Sequence, residues 1–318
     1  MRWLPFLLIM LTTPVCAQMA GEKVYRLGEL APSASTLEFT RSVTLPELAN
    51  LGFIEGRNLV VAERVGEPGV MQGLARELLL TKPDVIIAIG PDAIRAASEA
   101  TSTVPIVNFG PGLVGRGLAA SLARPGGNIT GVVILGPDLD AKRLDLLHEA
   151  LPAVHRVAAL LFPAEPDRLS SEREMRAVAA STVIELLPFE ASGPADYPTA
   201  FAAMRSAGAQ AMVIQANPIF YRDAAPLAQL ALETGLPTVC EWAEMANSGC
   251  LLGFGPNRAE LQRRVAHYVA RIFQGAAPGE LPIERPTHFE FAINLRTARA
   301  LGLTIPPSIM VRTDELIE

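Results

Sequence analysis

Short apolar runs alternate with amphipathic stretches along almost the whole chain, and that alternation sharply restricts the folds open to it. Val24–Leu30 reads as a strand and Thr36–Leu51 as a helix, with Pro46 expected to break or restart it. Strand Leu59–Val65 precedes helix Val70–Thr81, whose Val70, Leu74 and Leu78 share one face. Asp84–Gly90 is a continuous apolar run, as a strand covered on both faces requires. Helix Asp92–Ala100, strand Pro105–Phe109, helix Leu118–Ala123 and strand Ile129–Leu135 complete the first half. The second half predicts helix Asp140–Leu151, strand Arg156–Phe162, helix Arg168–Ala180, strand Val183–Phe189 and helix Tyr197–Ala207. Strand Ala211–Gln215, helix Ala224–Thr234, strands Pro237–Glu241 and Cys250–Phe254, and the long helix Arg258–Phe273 come next. The tail carries strand Phe289–Ile293, a helix from the N-cap Asn294 to Gly302, and a Pro306-Pro307 corner.

Such alternation predicts parallel sheets with helices on both faces and right-handed crossovers. About eleven strands exceed one comfortable open sheet, so two sheets in two lobes are expected. The 318 residues agree, at roughly 150 per domain. A TIM barrel explains the alternation too, but its strand count is eight and the tail has no place in it.

The chain opens with Arg2, an apolar core from Leu4 to Leu11 and a Val15-Cys16-Ala17 end, which reads as a signal peptide over residues 1–17. Its apolar core is shorter than the roughly 20 residues of a membrane span. Thr13-Pro14-Val15 is a poor context for lipidation of Cys16. The protein is therefore expected outside the cytoplasm, starting near Gln18. Half the residues are hydrophobic and 19% are charged, enough apolar material for full cores. Net charge is −6 with no basic block, which excludes a nucleic-acid surface. Cys240 and Cys250 are expected to be free and buried, although the exported compartment permits a disulfide.

Catalytic patterns are missing from the sequence. The four histidines show no metal spacing, no Cys pair has zinc geometry, and no G-x-S-x-G elbow occurs. Gly110-Pro111-Gly112-Leu113-Val114-Gly115 matches the dinucleotide fingerprint, with Asp138 and Asp140 downstream. It falls in the fourth βα unit, however, and Pro111 removes an N–H that a phosphate would want. No catalysis, cofactor or metal is expected.

The strand ends are more informative. Ala31-Pro32-Ser33, Pro91-Asp92, Phe109-Gly110-Pro111, Pro163, Asn217-Pro218 with Phe220 close by, Glu241-Trp242 and Phe254 all fall at or just past strand carboxyl ends. Open α/β sheets hold ligands there, where helix N-termini offer free N–H groups to an anion and aromatic rings offer apolar walls. Ser33, Asp92 and Asn217 are candidate polar contacts; Phe109, Phe220, Trp242 and Phe254 are candidate walls; Pro91, Gly110 and Pro111 would let backbone approach closely.

Four stretches carry a resemblance. Leu51-Gly-Phe-Ile-Glu-Gly-Arg-Asn58, Ser121-Leu-Ala-Arg-Pro-Gly-Gly-Asn-Ile-Thr-Gly131, Gly255-Pro-Asn257 and the tail from Pro286-Thr-His-Phe-Glu through Pro307 occur in order. Together they make the chain resemble the ABC-transporter substrate-binding proteins related to tryptophan-binding lipoproteins. The resemblance implies a type I periplasmic binding protein: two doubly wound parallel-sheet lobes joined by a three-segment hinge. By that analogy the first lobe is residues 22–134 and 257–285, and the second is residues 135–256 and 286–318. It also implies amino acids, often aromatic, or related small carboxylates as ligands. Many relatives carry Asp-Pro after the fourth strand, where this chain has Gly110-Pro111-Gly112. Losing that carboxylate favours an aromatic or branched organic acid, with Asp92 or Glu241 left to meet an ammonium.

The expectation is thus a monomeric periplasmic solute-binding protein of an ABC importer. It would hold a small, partly apolar carboxylate or amino acid between its lobes and deliver it to a membrane permease. The same fold could instead present its closed form to a membrane receptor as a sensor, or be an exported enzyme.

Overall fold

The computed structural model describes residues 23–134 and 136–318; the expected leader at residues 1–17 lies outside them. The first sheet is wholly parallel, in the order β2-β1-β3-β4-β5: β1 (Tyr25–Ala31), β2 (Leu59–Val65), β3 (Val85–Ile89), β4 (Ile106–Gly110) and β5 (Ile129–Val133). Helices α1 (Ala34–Asn50), α2 (Met71–Leu80) and α3 (Pro91–Ala100) connect its strands. The second sheet is built from β6 (Arg156–Leu161), β7 (Glu185–Glu190), β8 (Ala211–Ile214), β9 (Thr238–Cys240), β10 (Leu252–Pro256), β11 (Phe289–Asn294) and β12 (Glu315–Ile317). Its order is β12-β11-β10-β9-β8-β6-β7, parallel except where β11 runs antiparallel to β10. Two sheets, neither closed into a barrel, dispose of the TIM alternative.

Most elements fall where the apolar periodicity puts them, and the exceptions have local causes. α1 runs unbroken through Pro46, which is exposed, so the carbonyl it leaves unbonded faces solvent. No helix forms over Leu118–Ala123; Gly117 is left-handed, and Ser121 ties itself to Arg124 in a tight turn. The short strand β12 and the five-residue helix α7 (Pro218–Arg222) carry too few residues to show a period.

Helices α4 (Gly136–Ala150), α5 (Arg168–Thr182), α6 (Tyr197–Ser206) and α8 (Ala224–Thr234) complete the second half. The chain passes from the first sheet to the second after β5. It returns after β10 into α9 (Arg258–Phe273), which packs against α1, β4 and β5, and crosses again between Glu284 and Phe289. α10 (Leu295–Ala300) comes after β11, capped by Asn294. One buried apolar cluster runs from Leu27 and Val107 in the first sheet to Leu160 and Ile214 in the second.

Cys240 and Cys250 are not free. Cys240 ends β9 and Cys250 lies just before its parallel neighbour β10, with the Cα atoms 6.3 Å apart and the sulfurs bonded. An exported compartment, as expected from the sequence, would be one in which such a bond persists.

Two buried charges stand out. Asp140 and Arg143, one turn apart on α4, are both fully buried and pair at 2.7 Å. Arg143 also donates from Nε to the Phe254 carbonyl (2.8 Å) and from Nη2 to the Glu241 carbonyl (2.9 Å), while Asp140 accepts from the Ala216 amide (3.1 Å). Burial raises the Asp140 carboxyl and Arg143 opposes the rise. The pair thereby fastens α4 to the ends of β8 and β9 and to the middle of β10. Elsewhere, Glu29 shares the face of Leu27 and Ala31 on β1, packed under α1 and α9. Neither of its carboxyl oxygens has a hydrogen-bond partner among the described residues. Burial lifts its pKa to about 8; Glu63 and Glu55 add to the rise and Arg41 opposes it.

Arg143→Met strands the Asp140 carboxylate and two carbonyls, and should lower stability by about 3–5 kcal/mol in urea unfolding; a loss under about 1 kcal/mol would contradict the role given to the pair. Because Glu29 titrates higher folded than unfolded, the native state holds the extra proton, and stability falls as pH rises from about 4.5 toward 8. Glu29→Gln should remove part of that fall and stabilise the protein at pH 8, read as melting temperature against pH. An unchanged profile would contradict it.

Candidate functional site

The two sheets point their carboxyl ends at each other, and a cleft lies between them. From the first sheet come Ile89 to Pro91 after β3, Phe109 to Pro111 at the end of β4, Ile134 after β5, and Thr36 in the first turn of α1. From the second come Glu165 and Asp167 after β6, Gln215 and Ala216 after β8, Pro218 and Tyr221 of α7, and Glu241 and Trp242 after β9. Asp140 and Arg258, at the starts of α4 and α9, line the side where the chain crosses between sheets. The halves nearly touch at Gly90, whose φ of +86° suits glycine and where a Cβ would sit 3.3 Å from Pro218 Cγ.

Seven of the candidates read from sequence line this cleft: Pro91, Phe109, Gly110, Pro111, Pro218, Glu241 and Trp242. Pro32, Asp92 and Asn217 line a smaller adjoining pocket. Asn217 caps α7 through its Oδ1 and donates from Nδ2 to Glu165 (2.9 Å), so it acts on the cleft through that carboxylate. Asp92 is held by Arg95 instead. Ser33 caps α1 and hydrogen-bonds Thr36, which does line the cleft.

Four candidates are placed elsewhere. Ala31 is buried in the core, and Pro163 is exposed beside the cleft rather than in it. Phe220 packs into the core against Phe162 and Tyr197, because its position on the turn of α7 points it away from the direction of Tyr221. Phe254 projects from the opposite face of β10 to Gly253 and Gly255 and meets Phe289 and Phe291. The glycine-rich Gly110–Gly115 run opens no helix, only a single turn at Val114–Arg116, so it forms no phosphate cradle.

Sequence reasoning missed most of the polar lining. Glu165 and Asp167 lie just past Pro163, and Arg258 comes directly after the N-cap Asn257; strand-end position alone would have flagged them. Arg116, from the loop after β4, reaches across to Asp167 (2.8 Å) and toward Glu165 (3.9 Å), bridging the two halves. Arg258 is almost wholly buried. Its guanidinium lies 3.8 Å from the Phe39 ring centre and 4.3 Å from that of Tyr221. It donates to the Tyr221 hydroxyl and sits 3.4 Å from Glu244.

The charges do not cancel. Asp140 is matched by Arg143 and Asp167 by Arg116, but Glu165 has only the neutral Asn217 amide and a distant Arg116. No side-chain hydrogen bond holds Glu241 among the described residues. Burial pushes both carboxyls up, each to about 7. An apolar wall, one stacked arginine and two poised carboxyls suit a small molecule with an apolar body and charges of both signs.

Among known proteins, the sequence model of the family described as "ABC transporter substrate binding protein" matches residues 36–317. A tyrosine-binding protein of Clostridioides difficile (strain R20291) is 21% identical over 272 residues, 84% of this chain and 78% of that protein. A conserved domain protein from Vibrio cholerae superposes with a TM-score of 0.86 at 26% identity, over 92% of this chain and all of that one. A Streptococcus pneumonia ABC domain in complex with L-Trp gives 0.85 at 19% identity, over 93% of this chain and all of that one. The sheets, the cleft and the family match agree: this chain belongs to the ABC transporter substrate-binding protein family, a family of solute-binding proteins rather than enzymes with the type I periplasmic binding protein fold.

Proposed function

We propose that this protein is the periplasmic component of an ABC importer, exported by a leader at residues 1–17, and that it captures a small, partly apolar carboxylate in the cleft. Among such solutes an aromatic or branched amino acid fits best. The observation that carries this is the lining itself. Phe109, Pro111 and Trp242 offer apolar surface, Arg258 offers a stacked cation beside Glu244, and of the two raised carboxyls Glu241 has no salt bridge among the described residues and Glu165 only Arg116 at 3.9 Å. These carboxyls supply what Gly110-Pro111-Gly112 lacks, so the absent Asp-Pro does not argue against an ammonium. The relatives named as binding tyrosine and L-Trp support an aromatic amino acid.

The two lobes proposed are residues 22–134 with 257–285 and residues 135–256 with 286–318. They would close by hinge bending where the chain crosses between sheets. Solute shifts the equilibrium only by its preference for the closed form, in which both sheets' strand ends touch it. A monomer of this kind would then present its closed face to a permease.

A thermal-shift series tests the reading. L-tyrosine, L-tryptophan, L-leucine and their deaminated acids should be compared at pH 6 and pH 8. A true solute at 100 times its dissociation constant adds about 2.7 kcal/mol. An ammonium needs Glu165 or Glu241 ionised, and both titrate near 7, so amino-acid affinity should rise by about tenfold per carboxylate from pH 6 to pH 8. A deaminated acid should show the opposite slope, because ionised carboxylates repel it. Shifts with the acids alone would overturn the amino-acid assignment, and no shift with any small carboxylate would overturn the whole reading.

A further inference from the structure

Glu241 and Trp242 do not belong to a regular element. They open the loop between β9 and β10, whose only internal structure is a 3-10 stretch at Ala243–Ser248, the weaker kind of helix. β9 is three residues long and meets β10 through two residue pairs, Val239 with Leu252 and Cys240 with Gly253. On β10 the loop lies against glycines. A Cβ at Gly255 would meet the Glu241 carbonyl oxygen at 2.2 Å, and one at Gly253 would meet that of Trp242 at 2.4 Å. Glycines make this approach possible, but they have no side chain with which to grip what lies on them. The far half of the loop is held by the tail: Asn294 donates to the Ala246 carbonyl (2.7 Å) and Thr297 to that of Gly249 (3.0 Å). The near half has the Arg143 bond to the Glu241 carbonyl, Arg258 beside Glu244 (3.4 Å) and 5.7 Å from the Trp242 ring centre, and the covalent link at its base, the Cys240–Cys250 disulfide.

We propose that this disulfide is a positioning element of the solute cleft: by closing the loop directly beside Glu241, it holds Glu241 and Trp242 in the place where they meet solute. The inference rests on the cleft being the solute site. Cys240 is bonded to Glu241 through one peptide, so freedom at Cys240 passes straight to both wall residues. Both cysteines are fully buried, and neither touches the cleft. The bond thus acts through its neighbours and not by contact. Loss of it would leave the native fold in place while the wall samples more positions, and solute would then have to order the wall on binding.

The chain has two tryptophans, and Trp3 lies in the leader proposed at residues 1–17, so a Trp3→Phe background leaves Trp242 as sole reporter whether the leader is kept or removed. In that background, Cys240→Ala/Cys250→Ala and the better-filled Cys240→Ala/Cys250→Val are compared with the parent well below their melting temperatures. Circular dichroism checks the fold. Acrylamide quenching of Trp242 without solute reads the wall, and calorimetric titration with L-tyrosine or L-tryptophan, whichever the parent binds more tightly, reads affinity. We expect native-like dichroism, Trp242 more readily quenched, and affinity lowered by about tenfold. Unchanged quenching with affinity within twofold of the parent would overturn the proposal. So would failure of both variants to fold, since the bond would then serve the fold and not the wall. If the parent binds neither probe, the aromatic amino-acid assignment fails, while the quenching comparison still reports whether the disulfide holds Trp242.

Discussion

The cleft depends on one buried ion pair. Asp140 and Arg143 sit on a single turn of α4, out of contact with water, and between them they hold the chain at the ends of β8 and β9 and at the middle of β10. Those ends carry Gln215, Ala216, Glu241 and Trp242 into the cleft. A buried ion pair is weak evidence for stability, because desolvation offsets most of the attraction. Its directional bonds are another matter. Two strand ends and the middle of a third strand are fixed in relation to one helix, and the residues at those ends line the cleft.

Around that pair, the site is a meeting of two differently built halves. The first sheet contributes mainly backbone and small apolar surface: Gly90, Pro91, Gly110 and Pro111 at helix starts and strand ends. The second contributes most of the charge: Asp140, Glu165, Asp167 and Glu241. Arg116 and Arg258 link the two, the first by reaching from the loop after β4 to Asp167, the second by stacking between Phe39 of α1 and Tyr221 of α7. Under the proposed function, a solute that bridges the halves would add to contacts already made across the cleft and so favour the closed arrangement.

Much of the fold was legible because strand and helix periods differ and the chain keeps to them: Leu59–Val65, Ala224–Thr234 and Arg258–Phe273 match the apolar pattern to the residue. The site was legible only as positions. Parallel topology directs attention to strand ends, and that put Phe109, Glu241 and Trp242 where they line the cleft. Which way a side chain faces there is set by packing. Phe220 and Tyr221 are neighbours in sequence, yet one completes the core and the other faces the cleft. Phe254 was lost for the same reason, its strand having turned its glycine face to the loop. The Cys240–Cys250 bond could not be read from spacing, because it depends on β9 and β10 being neighbours in the sheet.

Diffraction from crystals grown with the tightest-binding aromatic amino acid or acid would test the central claim most directly. The solute should lie between Phe109 and Trp242, with its carboxylate within hydrogen-bonding distance of Arg258 and any ammonium against Glu241 or Glu165. A solute seated on an outer face, with the cleft between the two sheets still empty, would contradict it.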